Sequence, residues 1–174
     1  MANLVEDIRQ LREETSCGVI DCKKALEESK GDFQKAKEIL RKRGLEMAAK
    51  KAGRVATEGR VETYIHTGNK IGVIVEVNCE TDFVARNDDF IAFSRDVAMH
   101  IAAIAPKYLK KEDIPADVLS KEPDQALYAK TNCLMLQNYV KEPSKTIGDY
   151  LNELVAKIGE NIQINRFVRF KIGE

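Results

Sequence analysis

Apolar positions in the first fifty residues recur at helical spacing. Leu4, Ile8 and Leu11 fall on one stripe. Asn3, followed three positions later by Glu6, has the form of a capping box that would start this helix. The run Thr15-Ser16-Cys17-Gly18 interrupts it, and Val19, Ile20, Cys22, Ala25 and Leu26 predict a second short helix. Ser29-Lys30-Gly31-Asp32 reads as a turn, with Asp32 capping a third helix that carries Phe33, Ala36, Ile39 and Leu40 on one face. Gly44 is the expected end of that helix. Residues 45–53, rich in Ala and Lys, read as a helical or extended linker. Three short helices make a marginal core, so this stretch suits a docking module better than a catalytic cleft.

Beyond this point the period changes from helical to two. Val61, Thr63 and Ile65 alternate, as do Ile71, Val73, Val75 and Val77, and Thr67-Gly68-Asn69-Lys70 lies between them. That pattern predicts a β-hairpin. Asn87-Asp88-Asp89 can cap a helix containing Phe90, Ile91, Phe93, Val97, Ala98, Ile101 and Ile104, stopped by Pro106. Pro115 and Pro123 frame a weakly patterned stretch. A helix is expected over residues 125–139, and another from Thr146 through Ile147, Tyr150, Leu151, Leu154, Val155 and Ile158 to Gly159. Ile162, Ile164, Val168, Phe170 and Ile172 alternate in a last strand, with Arg166 out of phase. The expected organisation is a three-helix module with linker over residues 1–53 and an α+β domain over residues 54–174. The second part would hold a three-stranded antiparallel sheet packed with helices. Such a sheet has two edges that must be covered, twisted away or paired with another chain.

Charge sharpens this division. The chain has 174 residues, with 28 Lys and Arg balancing 28 Asp and Glu. Residues 1–54 hold 13 basic and 10 acidic side chains, so the excess is positive there and negative in the remainder. Arg41, Lys42, Arg43, Lys50, Lys51 and Arg54 cluster around Glu46, which reads as a solvated connector in preference to an RNA-backbone contact. Overall neutrality argues against general nucleic-acid binding. No apolar run is long enough to span a membrane, and the acidic N-terminus does not have the form of a signal peptide.

Candidate chemistry is sparse. Cys17, Cys22, Cys79 and Cys133 show no C-x-x-C spacing, and His66 and His100 are the two histidines, so no zinc site is expected. The cysteines read as reduced, mostly buried residues of a cytosol-like compartment. Neither a G-x-x-x-x-G-K-S/T loop nor a G-x-G-x-x-G after a strand occurs, so the chain is not expected to bind nucleotide itself. Cys79 beside His66 or His100 is the one candidate thiol site, and packing at a strand end is the expected role of Cys79. The segment Val77-Asn78-Cys79-Glu80-Thr81-Asp82-Phe83-Val84-Ala85-Arg86-Asn87 differs from the rest. It sets a large ring in a polar loop between a strand and a helix, as an internal plug or as a probe for a partner. Composition alone favours the plug.

Three motifs then carry a resemblance. Thr81-Asp82-Phe83-Val84 within residues 78–87 is similar to the signature of bacterial and organellar elongation factor Ts. Leu11-Arg12-Glu13-Glu14-Thr15 with Gly18-Val19-Ile20-Asp21-Cys22-Lys23-Lys24-Ala25-Leu26 resembles the N-terminal signature of that family. Ala156-Lys157-Ile158-Gly159-Glu160-Asn161-Ile162 with Arg166-Phe167 resembles its C-terminal one. The motifs stand in the family's order and span nearly the whole chain. There are departures: small residues are usual where Ser16 and Cys17 stand, methionines are frequent at Val19 and Ile20, and residues 115–143 look shortened. One set of strands matches the family's short form, with a single core half that pairs with a second copy.

The resemblance implies a guanine-nucleotide exchange factor without covalent chemistry or cofactor, whose partner is elongation factor Tu. It implies that Phe83 wedges into an apolar pocket near the partner's magnesium site while Asp82, flanked by Thr81 and Val84, holds groups displaced by the wedge. Val19 and Ile20, with Arg12 nearby, would dock the helical module. Met99 and His100 resemble partner-facing positions, with a satisfied structural histidine as the equal reading. Phe167, Val168 and Phe170 would build the sheet, and an exposed face there could support an isologous homodimer. A bacterial-type cytoplasm, or an organellar matrix or stroma after removal of a targeting segment, is the implied compartment. The residues also allow two other readings. One is a helical adaptor for a chaperone or ubiquitin-like partner, since the three-helix start resembles ubiquitin-associated domains. The other is a thiol enzyme using Cys79.

Overall fold

A computed structural model describes residues 4–15 and 17–174. The expected capping box at Asn3 lies outside the described residues, as does Ser16 of the first interhelical break. The chain is α+β and divides into two compact units, one of Met1–Arg54 with Asn152–Asn161 and one of Val55–Leu151 with Ile162–Glu174.

The first unit is built on α1 (Leu4–Thr15), α2 (Val19–Glu28) and α3 (Phe33–Lys51). Most of the predicted apolar positions form its core: Leu11, Cys22, Ala25, Leu26, Ala36 and Leu40 are buried, with Ile8, Phe33 and Ile39 packed against them, whereas Leu4, Val19 and Ile20 are exposed. Asp32 caps α3 by accepting from the Lys35 amide at 3.1 Å. Gly44 does not end α3. The following Leu-Glu-Met-Ala-Ala-Lys-Lys run is made of strong helix formers, which outweigh the cost of about 1 kcal/mol for one interior glycine. The supposed linker is therefore helical to Lys51. Residues 152–161 complete the unit, where Asn161 donates from Nδ2 to the Arg54 carbonyl at 2.7 Å and Lys51 donates to the Gly159 carbonyl.

The second unit holds a three-stranded antiparallel sheet in the order β1 (Glu58–Ile65), β2 (Ile71–Cys79), β5 (Gln163–Lys171). The predicted hairpin turns through Gly68 and Asn69, both at positive φ (89° and 56°), where Gly and Asn are the residues of lowest strain. Gly59 in β1 is needed for a different reason. A Cβ there would stand 2.3 Å from the Val77 carbonyl oxygen of the neighbouring strand. Val73, Val75, Val77 and Cys79 of β2 are buried, and so are Phe90, Phe93, Val97, Ala98 and Ile101 of α5 (Asp88–Ile104). Helix α5 packs on β1 and β2.

Two expectations for this unit are corrected. Helix α7 (Gln125–Asn132), which follows the single turn α6 (Ala116–Leu119), stops well short of residue 139. Cys133 instead forms a parallel bridge with Tyr108, and the Leu134 and Met135 amides donate to the Tyr108 and Leu109 carbonyls. Tertiary pairing has taken the backbone groups that another helical turn would use. The chain then forms an unforeseen two-stranded ribbon, β3 (Asn138–Tyr139) and β4 (Glu142–Thr146). Thr146 does start α8 (Ile147–Ile158): its Oγ1 accepts from the Asp149 amide while the Asp149 carboxylate accepts from the Thr146 amide, a reciprocal cap.

The second correction concerns β5. Ile164 pairs with Val77 but Arg166 pairs with Glu76, so Asn165 is an extra residue, a β-bulge. Glu76 clamps it, accepting from Asn165 Nδ2 at 2.9 Å and Arg166 Nε at 2.7 Å. These two donors, Asn165 first, hold its carboxyl below the ordinary range. The bulge changes the facing of the strand. Ile162 and Ile164 are buried, whereas Val168, Phe170 and Ile172 are exposed.

Candidate functional site

The segment after β2 is rigid by construction. Cys79 is buried and its thiol donates to the Thr81 carbonyl at 3.1 Å. Thr81 is the N-cap of a single helical turn, α4 (Asp82–Ala85), its Oγ1 accepting from the Val84 amide. The Asn87 amide donates to the Val84 carbonyl, and Asn87 Oδ1 accepts from the Asp89 amide at 2.9 Å to cap α5. Two caps six positions apart, Thr81 and Asn87, hold the turn at both ends.

On this turn Phe83 is 79% exposed, while Thr81, Asp82 and Val84 are half-buried. The plug favoured by composition is therefore excluded. An exposed phenylalanine on a hydrogen-bonded turn loses little conformational entropy when it meets an apolar pocket. Asp82 Oδ2 accepts from Arg86 Nη2 at 2.9 Å across an exposed pair. Such a pair contributes little to stability, so Asp82 is available to exchange that partner for another donor.

In the helical unit, Val19 and Ile20 occupy the first two positions of α2 and are 51% and 69% exposed. They do not join the core formed by Cys22, Ala25 and Leu26 on the other side of the same helix. Arg12 is exposed on α1. His100 lies elsewhere. It is fully buried, its Nε2–H donates to Gln137 Oε1 at 3.0 Å, and its Nδ1 accepts from the Val140 amide at 3.3 Å. Gln137 Nε2 in turn donates to the Thr131 carbonyl. Burial lowers the pKa of the ring, partly offset by Gln137. His100 thus braces the β3–β4 ribbon from inside and is not on the surface; the structural reading of this residue is the one that fits. Met99 is half-buried.

A surface that motif reading underweighted lies on the sheet. Val61 and Ile65 of β1, Ile74 of β2, and Val168 and Phe170 of β5 are exposed large apolar residues. The register places Ile74 opposite Thr63 and Val168, and Gly72 opposite Ile65 and Phe170, so they share one face. On β1 it is Glu62 that turns inward, 8% exposed and paired with Arg60. The signal lay in the alternation of Val61 and Ile65 in β1 and of Val168 and Phe170 in β5, which fixes that these residues share a face but not that the face is the outer one.

All four cysteines are free thiols, and among the described residues no cluster of His, Cys, Asp and Glu could hold a metal ion. No described helix is long and apolar enough to cross a membrane.

Comparison with known proteins places these features in a family. The family model described as "Elongation factor TS" matches residues 1–129 and 125–174. The chain is 52% identical over 190 aligned positions to elongation factor Ts of Carboxydothermus hydrogenoformans, covering 96% of this chain and 88% of that protein. It is 52% identical to the protein of the same name from Thermoanaerobacter sp. strain X514, at 96% and 93% coverage. The protein of that name from Geobacter sulfurreducens is 48% identical over 198 positions, at 100% and 91% coverage. These alignments are longer than the chain itself, so the relatives carry residues that it lacks.

Proposed function

Because the chain belongs to the elongation factor Ts family, we propose that it is a translation elongation factor that binds elongation factor Tu and promotes release of GDP. The observation that carries the proposal is Phe83, a large apolar ring held out on a doubly capped turn. Burying such a ring in a partner contributes about 2–3 kcal/mol, or a factor of about 10² in affinity. That contribution drives exchange only if the pocket is open in the nucleotide-free partner and closed in the GDP-loaded one. A factor that bound both forms equally would release nothing.

In this reading Phe83 enters near the nucleotide and magnesium site of the partner. Asp82 leaves Arg86 and accepts from groups that the ring displaces, and Thr81 and Val84 fix the turn. Val19 and Ile20 dock the helical unit, with Arg12 at the margin, while His100 acts only by holding its own domain. The coupling is reciprocal: GDP must weaken the factor by the same ratio as the factor weakens GDP. The exposed sheet face supports an isologous homodimer, since contiguous apolar surface rimmed by charge marks an interface. The bacterial relatives support a cytoplasmic setting, and no step calls for a cofactor, a metal or a covalent intermediate on this chain.

The test is release of labelled GDP from purified elongation factor Tu. Phe83→Ala should slow release at least tenfold while the circular dichroism spectrum and Tm stay unchanged. Unchanged release with the folded variant would remove the wedge. Sedimentation of Phe170→Asp should show monomer where the parent chain is dimeric; a parent chain that sediments as a monomer would remove the dimer.

A further inference from the structure

Two of the free thiols meet in a place that no role described above uses. Helix α2 has Gly18 as its N-cap, so Cys17 is the residue before the cap and Cys22 is the fourth residue of the helix. These are the two positions whose side chains pack together in a hydrophobic staple. The contacts agree. The Cys17 thiol donates to the Thr15 carbonyl at 3.6 Å, Cys22 Sγ lies 3.9 Å from Thr15 Oγ1, and the Cys22 thiol donates to the Cys17 carbonyl at 3.8 Å. Both sulfurs converge on one residue. Cys22 is fully buried, while Cys17 is half-exposed and lines a cavity of about 190 Å³ whose charged residues are of both signs, Asp21 and Glu46 with Arg43 and Lys50. One thiol is reachable from solvent and the other waits behind it, an arrangement suited to an attacking and a resolving cysteine.

We infer that Cys17 and Cys22 form a reversible dithiol–disulfide pair that responds to hydroperoxides and re-aims the start of α2. The Cys17 thiolate attacks one peroxide oxygen; the O–O bond breaks and leaves a sulfenic acid and an alcohol, or water. The Cys22 thiolate then attacks the Cys17 sulfur. The S–S bond forms, the S–O bond breaks and hydroxide departs, to be protonated as water. The two thiols lose two electrons and the peroxide gains them. A disulfide holds its Cα atoms about 4.4–6.8 Å apart, which would tie Cys17 to the first turn of α2. Val19 and Ile20 are that turn. Burial pushes both thiols above their ordinary range, so thiolate is scarce at neutral pH and the reaction should accelerate as pH rises.

The full chain is treated with hydrogen peroxide, unfolded, alkylated and digested with trypsin. The peptide spanning residues 13–23 contains both cysteines, and it should become lighter by two hydrogens, resist alkylation and recover with dithiothreitol. Cys17→Ala should abolish this without unfolding the chain. Amide exchange at Cys22, which donates to the Gly18 carbonyl at 3.0 Å, should quicken at least tenfold in the oxidised protein. Sulfinic or sulfonic acid on Cys17 with Cys22 still alkylated, a bridge to Cys79 or Cys133, or a bridge that leaves exchange at Cys22 unchanged would each overturn the inference. The effect on the partner rests on the proposed function. A bridged chain that drives GDP release at the reduced rate would leave the thiol pair standing and remove the docking role of Val19 and Ile20.

Discussion

Phe83 and Phe93 stand ten positions apart, on either side of the Asn87 cap, and meet opposite fates. Phe83 is 79% exposed on a four-residue turn, whereas Phe93 and its neighbour Phe90 are fully buried on a helix of 17 residues. The difference is not one of hydrophobicity. A long helix has an inward stripe on which every fourth residue meets the sheet. A single turn capped at both ends has no second turn to extend such a stripe, and Val84 and Ala85, not Phe83, take its half-buried positions. Phe93 is further fixed by Tyr150, whose ring meets it edge-on at 4.9 Å and stacks on Tyr139 at 5.2 Å. One region spends its aromatic surface on its own stability, and the other holds an aromatic ring in reserve for another molecule.

The largest test of this contrast is Phe93→Ala. It should destabilise the chain by about 3–5 kcal/mol, read as a lowered urea midpoint at constant m-value. A loss under about 1 kcal/mol would mean that the aromatic wall is not the core. The buried ring of His100 sharpens the same side. Its folded pKa is depressed, so protons bind the unfolded chain first. Stability should be level above the unfolded histidine value of about 6.5 and fall as pH drops below it, until the folded pKa is passed. A urea series between pH 7 and pH 5, above most carboxylate titration, should show that slope, and His100→Gln should flatten it. On the outward side, Thr81→Ala removes the cap of α4 and should cost about 1 kcal/mol, measured by thermal unfolding. Thr81→Ser should restore most of it. Phe83→Ala should change stability least, within about 0.5 kcal/mol, while slowing GDP release strongly. A large stability loss there would erase the contrast between the two regions.

Much of this was legible from the chain alone. Helical stripes identified the cores of α1, α2, α3 and α5, the caps at Asp32, Asn87 and Thr146 were readable as residue types in position, and the hairpin followed from alternation around a Gly-Asn turn. The signature motifs pointed to Phe83, although composition by itself would have placed that ring inside. Gly44 misled because a local breaker was outweighed by the helix formers that follow it. Residues 133–139 misled because their helical pattern lost to pairing with Tyr108 and with β4, partners far away in sequence.

Sequence alone thus determined the period of each element, its capped ends and the residue types offered to a partner, because these depend on interactions within a few residues. Only the tertiary structure decided which faces those elements turn outward. One extra residue at Asn165, clamped by Glu76 of the neighbouring strand, moves Val168 and Phe170 from the inner series of Ile162 and Ile164 to the exposed face of the sheet. Side chains alternate along a strand with a period of two, so a single bulge reverses everything after it. The register that creates the bulge is set by a strand almost ninety residues away.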